Sequence, residues 1–320
     1  MDAFAGERAW VRRILERERP DFVHAHWLYE FALGALDTGL SHLVTAHDAP
    51  WTILGLQIRQ HPRGIPYRAV RTAMAYLAGR RSRGMTAVSP YVATHLRRYS
   101  FTSAPIEIIP NGFPSSCFES SPSPRRSHEK TTFVSILNGG FYGLKNGPGL
   151  LKALVRLAKK TERFRLVVFG DGCGPGSEAE RLARTLGIAH LVEFRGHVPH
   201  AQLLAFLSTE ADAVVHPSLE ESFGNTLVEG MACGLPVIGG KASGAVPWTL
   251  GGGEAGILSD VEDAGELSLA MLELALSPEL RWAIGSRAKE YAREHYHIER
   301  TADGFEASYA RARSCALGQP

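Results

Sequence analysis

The sequence predicts an α/β protein of two domains, each built around a parallel β-sheet. Short apolar runs typical of buried strands alternate with helix-length segments in both halves of the chain, which is the order of a βαβ series. Residues 113–130 separate the halves and are rich in Ser, Pro and charge, a composition that favours an interdomain linker. The chain has 320 residues, 44% of them hydrophobic, which is enough for two substantial cores.

The first half is predicted to contain four strands. Apolar residues at helical spacing predict an opening helix over 5–18, which Pro20 ends. The strands are predicted at 21–26, 42–46, 85–89 and 106–109, with further helices at about 29–38 and 65–81. Because a helix-length segment separates each strand from the next, we expect the strands to run parallel.

The second half is predicted to be a longer series of the same kind. Its strands are predicted at 132–137, 164–169, 191–195, 213–216 and 235–238. Its helices are predicted at about 147–160, 177–186, 200–208, 263–276, 279–295 and 298–315, with a glycine-rich loop at 251–256. We therefore expect a first domain over 1–120, a linker over 121–130 and a second domain over 131–297.

Composition limits the class of protein. The four cysteines are widely spaced and form no Cys-x-x-Cys pair, so we expect reduced thiols rather than disulfides or zinc ligands. No apolar run reaches the roughly 18 residues needed to cross a bilayer, and the amino terminus lacks the apolar core of a signal peptide. These features favour a cytoplasmic protein.

Charge is divided unevenly along the chain. Residues 1–126 carry 16 Arg and 10 Asp or Glu, whereas residues 127–320 carry 19 Lys or Arg and 23 Asp or Glu. The basic first half, with its helix over 65–81 and the arginines at its end, is suited to anionic lipid headgroups or phosphates. An uneven solvated surface is an equally good interpretation. No nucleic-acid partner is expected.

The stretch at 213–238 carries the strongest functional signal. After the strand, a polar loop leads into a helix that is predicted to open near Asn225 or Thr226, since both side chains are good N-caps. A helix N-terminus attracts phosphate through its free N–H groups and its dipole. Glu221 in the loop and Glu229 in the helix place hydrogen-bond acceptors on either side of that point, which is suited to a nucleotide sugar. The alternative is an ordinary surface helix with solvated acids.

The segment Glu221-Ser-Phe-Gly-Asn-Thr-Leu-Val-Glu229, followed by Gly-Met-Ala-Cys-Gly-Leu-Pro-Val, resembles the Glu-x7-Glu signature of the retaining family-4 glycosyltransferases, glycosyltransferases group 1. The resemblance runs from about residue 19 to 315. It implies a GT-B fold, with two Rossmann-like domains facing each other across a cleft, and a final helix over 298–320 that crosses back to the first domain. It also implies transfer of a sugar from a nucleotide-diphosphate donor to an acceptor hydroxyl.

The resemblance implies roles for particular residues. Glu229 would hold the ribose hydroxyls, Glu221 the donor sugar, and Lys145 the diphosphate leaving group, while His47 would contact the sugar near the reacting carbon. The other donor-binding residues lie in three glycine-containing loops and the helix start, and are Ser222, Phe223, Gly224, Asn225, Thr226, Gly170, Asp171, His197 and Val198. No metal and no cofactor are expected, because the chain has no Asp-x-Asp triplet and Lys145 with the helix dipole would stabilise the departing charge.

Two departures from the family pattern stand out. The arginine that the family places about six residues before the lysine falls on Gly139 here, so backbone amides would have to supply part of the diphosphate contact. The first domain also lacks the family's opening βα units, so that either the chain starts late or this domain is built differently. A non-catalytic nucleotide-sugar-binding or partner subunit is therefore the alternative function.

Two further alternatives stay open. Another GT-B enzyme, such as a phosphorylase or a nucleotide-sugar epimerase, would share the fold with different motifs. His24 and His26 alternate onto one face of a strand, and with His47-Asp48 they could form a metal site. If the main interpretation holds, the acceptor is a glycan or a lipid-linked molecule of cell-surface glycan or glycolipid synthesis, and the protein lies at the cytoplasmic face of the membrane.

Overall fold

The computed structural model describes residues 4–60, 64–100, 102, 104–119 and 130–316. The chain divides into two compact units, the first formed by the residues up to Gly112 and from Ile298 onward, the second by Phe113–His297. The predicted linker at 121–130 lies, apart from its last residue, outside the described residues.

The first unit is built on four strands in the order β1-β2-β3-β4, all parallel. The strands are β1 Val23–His26, β2 His42–Ala46, β3 Met85–Ala87 and β4 Ile106–Ile108. The helices among them are α1 Ala5–Glu18, α2 Glu30–Leu36, α3 Pro50–Gln60, α4 Ile65–Arg81 and α5 Pro90–Tyr99. The four predicted strands are confirmed, although three of them are shorter than predicted.

The second unit contains a sheet of six parallel strands in the order β10-β9-β8-β5-β6-β7. The strands are β5 Thr131–Ile136, β6 Phe164–Phe169, β7 Val192–Gly196, β8 Ala213–His216, β9 Val237–Gly240 and β10 Ile257–Ser259. The helices are α6 Gly147–Ala158, α7 Glu178–Thr185, α8 His200–Thr209, α9 Asn225–Ala232, α10 Val246–Thr249, α11 Ala264–Leu276 and α12 Pro278–Tyr296. Apolar side chains from β5, β6, α6 and α11 form its main core.

The strand order places a topological switch point in the second unit. From the central strand β5 the chain first adds β6 and β7 on one side, and then β8, β9 and β10 on the other. The loops that follow β5 and β8 therefore leave neighbouring strands in opposite directions along the sheet. A crevice at the carboxyl ends of the strands forms at such a point and is the usual ligand site of open α/β sheets.

The strand predicted at 235–238 is displaced by two residues. The N–H of Leu235 donates to the Gly230 carbonyl and so still closes helix α9, after Gly234 has turned the chain with φ 74°. Strand β9 consequently starts only at Val237. Sequence alone placed the strand too early because Leu235 belongs to the helix end.

The last helix, α13 Ile298–Ala316, belongs to the first unit. The Thr301 hydroxyl donates to the Pro110 carbonyl at 3.0 Å, and Arg311 pairs with Glu107 of β4. Phe305 and Tyr309 pack their rings against His24 of β1. This helix therefore covers one face of the four-stranded sheet. Among the described residues, no helix combines the length and the apolar character needed to cross a membrane.

Candidate functional site

The two loops at the switch point are joined to each other. The loop after β5 ends in a short 3₁₀ turn, Gly143–Lys145, and the loop after β8 covers residues 217–224. The N–H of Leu219 donates to the Leu144 carbonyl at 2.8 Å, which fixes the second loop against the first. Lys145 and Glu221 are thereby held within reach of each other.

Helix α9 starts at a glycine rather than at a polar cap. Gly224 occupies the N-cap position with φ 89° and ψ 64°, and no side chain caps the helix. A Cβ on Gly224 would lie 2.6 Å from the Leu227 side chain. Glycine is therefore required here for two reasons, the left-handed backbone and the lack of room for a side chain. The predicted N-cap at Asn225 or Thr226 is therefore wrong, because both residues already lie inside the helix.

Glu221 is a largely buried carboxylate, 15% exposed at the side chain, and one of its oxygens has two nitrogen partners. Lys145 Nζ lies 2.5 Å and His216 Nε2 lies 3.0 Å from Glu221 Oε1. Burial alone would raise the pKa of this carboxyl, but the Lys145 charge and the His216 hydrogen bond outweigh it and hold the pKa well below its usual range. The other oxygen, Oε2, has no hydrogen bond to a described residue. Glu221 therefore presents an ionised acceptor to a ligand.

His216 connects Glu221 to the first turn of helix α9. The ring is 2% exposed, and its Nδ1 lies 3.1 Å from the Thr226 hydroxyl oxygen. If Nε2–H donates to the Glu221 carboxylate, a neutral ring must accept at Nδ1, so the Thr226 hydroxyl donates there. The three side chains thus form one hydrogen-bonded chain that fixes the rotamer of Glu221.

Glu229 has one carboxylate oxygen that the protein leaves unsatisfied. Its Oε1 lies 2.8 Å from His200 Nε2, whereas Oε2 is buried and has no hydrogen-bond partner among the described residues. Burial raises the pKa of this carboxyl, and the contact with His200 opposes that shift only in part. A buried acceptor without a partner costs about 1–3 kcal/mol. The position is therefore suited to accept hydrogen bonds from a ligand.

Two further loops, after β6 and β7, meet the loop after β5 at the carboxyl edge of the same sheet. The N–H of Gly139, after β5, donates to Asp171 Oδ2 at 3.1 Å, and His197 Nδ1, after β7, lies 3.6 Å from Asp171 Oδ1. Gly139 and Gly140 have φ of 94° and 112°, and an added Cβ would meet nothing within 4 Å at either position. The backbone after β5 is therefore open on one side, as a site that binds phosphate through amides requires.

The remaining predicted donor-binding residues differ in how far they are exposed to solvent. The ring of Phe223 is buried against Trp248 and Tyr296, and its carbonyl already accepts from the Thr249 hydroxyl at 2.6 Å. Residues that remain at least partly accessible in this region are Ser222, Asn225, Thr226 and Val198. Gly170, with φ 124°, packs so closely on Leu137 that a Cβ would lie 2.5 Å from its carbonyl group. Glycine at position 170 is thus required for packing. This requirement gives no evidence for or against contact between Gly170 and the donor.

His47 lies in the first unit, directly after β2. Its Nε2 is 2.8 Å from His26 Nδ1, and the Trp27 ring lies 5.1 Å away on a backbone with φ 70°. Burial, assisted by the neighbouring His26, lowers the pKa of His47 to about 4. The ring is therefore neutral at physiological pH.

The alternative metal site at these histidines is not supported. Both ring nitrogens of His24 are engaged, Nδ1 with the Tyr309 hydroxyl at 2.8 Å and Nε2 with the Thr45 hydroxyl at 2.6 Å. Asp48 accepts a hydrogen bond from Tyr29. In the part of the chain that the structure describes, no group of three or more His, Cys, Asp or Glu could hold a metal ion.

Two residues of the second unit were missed from the sequence. His200 at the start of α8 and His216 at the end of β8 each contact one of the two predicted glutamates. His216 ends a strand at the carboxyl edge of the sheet, and that position could have singled it out. His200 is 29 residues from Glu229 along the chain, so no local pattern could have found it.

Comparison with known families and curated proteins gives matches over most of the chain. A model described as glycosyl transferases group 1 matches residues 121–291, and one described as glycosyltransferase family 4 matches residues 4–116. A D-inositol 3-phosphate glycosyltransferase of Corynebacterium jeikeium is 32% identical over 61% of this chain and 49% of its own length. The protein of that name from Segniliparus rotundus is 30% identical over 71% of this chain and 52% of its own length. The chain thus spans about half the length of the curated relatives it matches.

Solved structures match both units. Sucrose-phosphate synthase from Thermosynechococcus elongatus aligns with a TM-score of 0.79 at 19% identity, over 98% of this chain and 80% of that one. Anabaena HepE in complex with UDP and glucose aligns with a TM-score of 0.76 at 20% identity, over 94% of this chain and 81% of the HepE chain. At these identities the likeness concerns the fold.

Proposed function

Because the chain belongs to the glycosyl transferases group 1 family, we propose that it transfers a sugar from a nucleoside-diphosphate donor to an acceptor hydroxyl with retention of configuration. Its two parallel-sheet α/β units have the GT-B fold. The observation that carries the proposal is the pair of glutamates at the switch point, one ionised with a spare oxygen and one with a buried, unsatisfied oxygen. Hydroxyl-rich ligands supply the donors that both need.

In this mechanism the second unit binds the donor. Glu229 Oε2 accepts from the ribose hydroxyls, and Glu221 Oε2 accepts from the sugar. The Lys145 ammonium and the N-terminal N–H groups of α9 stabilise the charge that develops on the diphosphate as it leaves, so no metal is needed for that step. The open backbone at Gly139 and Gly140 lets the diphosphate approach closely. Their N–H groups donate to Asp171 and to the Leu137 carbonyl in the free chain, so amide contacts in place of the family arginine require these hydrogen bonds to be exchanged when the donor binds.

Departure and attack are proposed to occur on the same face of the sugar, which retains the configuration at the reacting carbon. Neutral His47 is proposed to contact the sugar near that carbon. A neutral imidazole adds no charge next to a centre that becomes positive as the leaving group departs, and is therefore compatible with this role. The acceptor supplies the attacking hydroxyl; its oxygen forms the new bond to the reacting carbon as the bond to the diphosphate breaks, and its proton passes to the departing diphosphate oxygen on the same face.

The test of the proposal is a thermal-shift panel followed by a transfer assay. UDP-, GDP-, ADP- and dTDP-sugars are each added to the purified chain, beginning with UDP-glucose because HepE has been solved with it. A donor that binds only the folded state raises the unfolding midpoint by mass action. The sugar that does so is then offered with D-inositol 3-phosphate, the acceptor in the names of the curated relatives.

The outcome separates the two candidate functions. Donor binding with transfer to an acceptor, or with slow hydrolysis of the donor, supports the enzyme. Binding with neither reaction over long incubation supports the non-catalytic subunit. No shift with any nucleotide sugar contradicts the enzyme and the nucleotide-sugar-binding subunit, and favours a non-catalytic partner subunit.

His216 is expected to matter for turnover rather than for folding. Replacing it by phenylalanine removes the N–H that fixes Glu221, and turnover should fall about tenfold or more. Replacing it by glutamine keeps an N–H near the position of Nε2 and should restore part of the loss. Initial rates of both variants at saturating donor, with thermal unfolding as the check on folding, provide the measurement. Equal rates in the two variants would contradict the role of the hydrogen bond.

We further propose that the protein works in cell-surface glycan or glycolipid synthesis as a peripheral protein of an anionic membrane. The outer face of α4 exposes Tyr67, Val70 and Leu77 and ends in Arg80 and Arg81. An exposed apolar stripe beside basic residues is typical of helices that lie in the membrane interface.

Co-sedimentation with liposomes tests this placement. We expect binding to vesicles with anionic lipid and little binding to neutral vesicles, with a steep loss at high salt because the Debye length shortens. Replacing Leu77 by serine and Arg80 by glutamine should weaken it. Equal sedimentation with both vesicle types would contradict the proposal.

A further inference from the structure

The first unit contains a cavity of about 730 Å³ at the amino ends of β2, β3 and β4. The turn after α2, the end of α4 and one side of α13 complete its wall. His42 and Leu43 of β2 line it, whereas His47 follows the other end of the same strand. The cavity is therefore separate from the carboxyl edge of this sheet, and its volume lies in the range of small-molecule sites, roughly 300–1,000 Å³.

The floor of this cavity is apolar. The aliphatic side chains that line it are Leu36, Leu40, Leu43 and Met85. Two small residues approach each other in the lining: a Cβ on Gly84 would lie 3.8 Å from the Cβ of Ala312, which is ordinary van der Waals contact. The space would accept an apolar body of several carbon atoms.

The polar part of the lining is cationic. Arg81, Arg83 and Arg311 line the cavity together with one carboxylate residue, Glu107. Arg311 is bound to Glu107, and Arg81 pairs with Asp37 at 2.8 Å. These two arginines are therefore largely neutralised by protein groups.

Arg83 is different, because its exposed side chain makes no hydrogen bond or ion pair with a described residue. Its backbone N–H donates to His42 Nε2 at 3.4 Å, and His42 Nδ1 lies 2.9 Å from the Leu40 carbonyl. Both ring nitrogens of His42 are therefore engaged by backbone groups. The available charge in the cavity is then the guanidinium of Arg83.

We propose that this cavity binds a small organic anion with an apolar body, whose acidic group pairs with Arg83 and whose body lies on the leucine and methionine floor. A guanidinium forms charge-assisted, often bidentate hydrogen bonds with carboxylate or phosphate groups. Leu36, Leu43 and Met85 are buried beneath the lining, and Leu40, Pro105 and Ala312 present the accessible apolar surface. A ligand that covers this surface gains affinity in proportion to the area removed from water. The site is independent of the proposed transfer reaction, since it uses none of the residues assigned to the donor.

The test uses octanoate as the probe, titrated calorimetrically into the full chain. We expect saturable binding of one octanoate per chain, and much weaker binding of octylammonium and of octanol, which have the same body without the negative charge. Replacing Arg83 by glutamine should weaken octanoate binding about tenfold or more. Arg80→Gln is the matched control, because Arg80 lies in the last turn of α4, close to Arg83 in the chain, but does not line the cavity. Its affinity should stay within about twofold of the parent chain.

A second variant fills the space directly. Ala312→Leu places a larger side chain opposite Gly84 and should abolish octanoate binding while the chain remains folded by circular dichroism. If that variant fails to fold, the comparison of Arg83→Gln with Arg80→Gln decides alone. Absence of octanoate binding at millimolar concentration, equal binding of octylammonium, or an unchanged affinity in Arg83→Gln would each overturn the proposal.

Discussion

Replacing Lys145 by methionine should lower the turnover number about 100- to 1,000-fold, the range found when one preorganised electrostatic contact to a developing charge is removed. Methionine keeps an unbranched side chain of similar length, so the 3₁₀ turn at Gly143–Lys145 has no reason to change. Lys145→Arg keeps the positive charge and should retain most of the activity. The measurement is the initial rate at saturating donor for the three proteins.

The same substitution has a second effect, on Glu221. In the parent chain the pKa of this carboxyl is held below its unfolded value, so its contribution to the free energy of unfolding is present at neutral pH and is lost as the pH falls through the acidic range. Without the ammonium, burial becomes the larger influence, and the pKa of Glu221 should rise.

Thermal unfolding of the parent chain and of Lys145→Met across pH separates these contributions. The parent should be clearly more stable at neutral pH, and the difference should shrink toward pH 4, where the variant can protonate its buried carboxyl. Equal turnover in the two proteins would contradict the catalytic role of Lys145. A stability difference that does not depend on pH would contradict the ion pair.

Much of this site could be predicted from the sequence, because the residues that define it are close together in the chain. Glu221 and Glu229 lie eight positions apart, in a loop and a helix whose apolar spacing is clear, and the loop follows an unambiguous strand. The switch point itself also follows from chain order, once the strands have been assigned. These are short-range signals.

What could not be predicted depends on tertiary contacts or on short elements. His200 gains its importance only through a helix that packs next to Glu229. Strand β10 has three residues, too few for a periodicity, and α3 was missed because its glycine and its lack of acidic residues give it no ordinary helix signal. The glycine at the N-cap of α9 shows that a backbone turn can replace the side-chain cap that the residue types favour.

Glu229→Gln should lower donor affinity about 10- to 100-fold, since the hydrogen bonds of a charged acceptor to two hydroxyls are replaced by weaker ones. The same variant should be more stable than the parent by about 2–4 °C in its unfolding midpoint. The reason is that the parent buries a carboxylate whose Oε2 has no partner among the described residues, and an amide is less costly to bury than a charge. Function and stability are expected to change in opposite directions.

The stability difference between Glu229→Gln and the parent chain should depend on pH. Because burial raises the pKa of Glu229 in the folded chain, the parent loses stability as the pH rises through that pKa and the carboxyl ionises. Glutamine does not titrate, so the stability advantage of the variant should be small near pH 4 and grow toward pH 8. Glu273→Gln, at an exposed position on α11, is the control and should change neither quantity. Calorimetry measures the donor affinity, and thermal unfolding measures the midpoints. If the Glu229→Gln chain binds donor as tightly as the parent does, the ribose contact lies elsewhere.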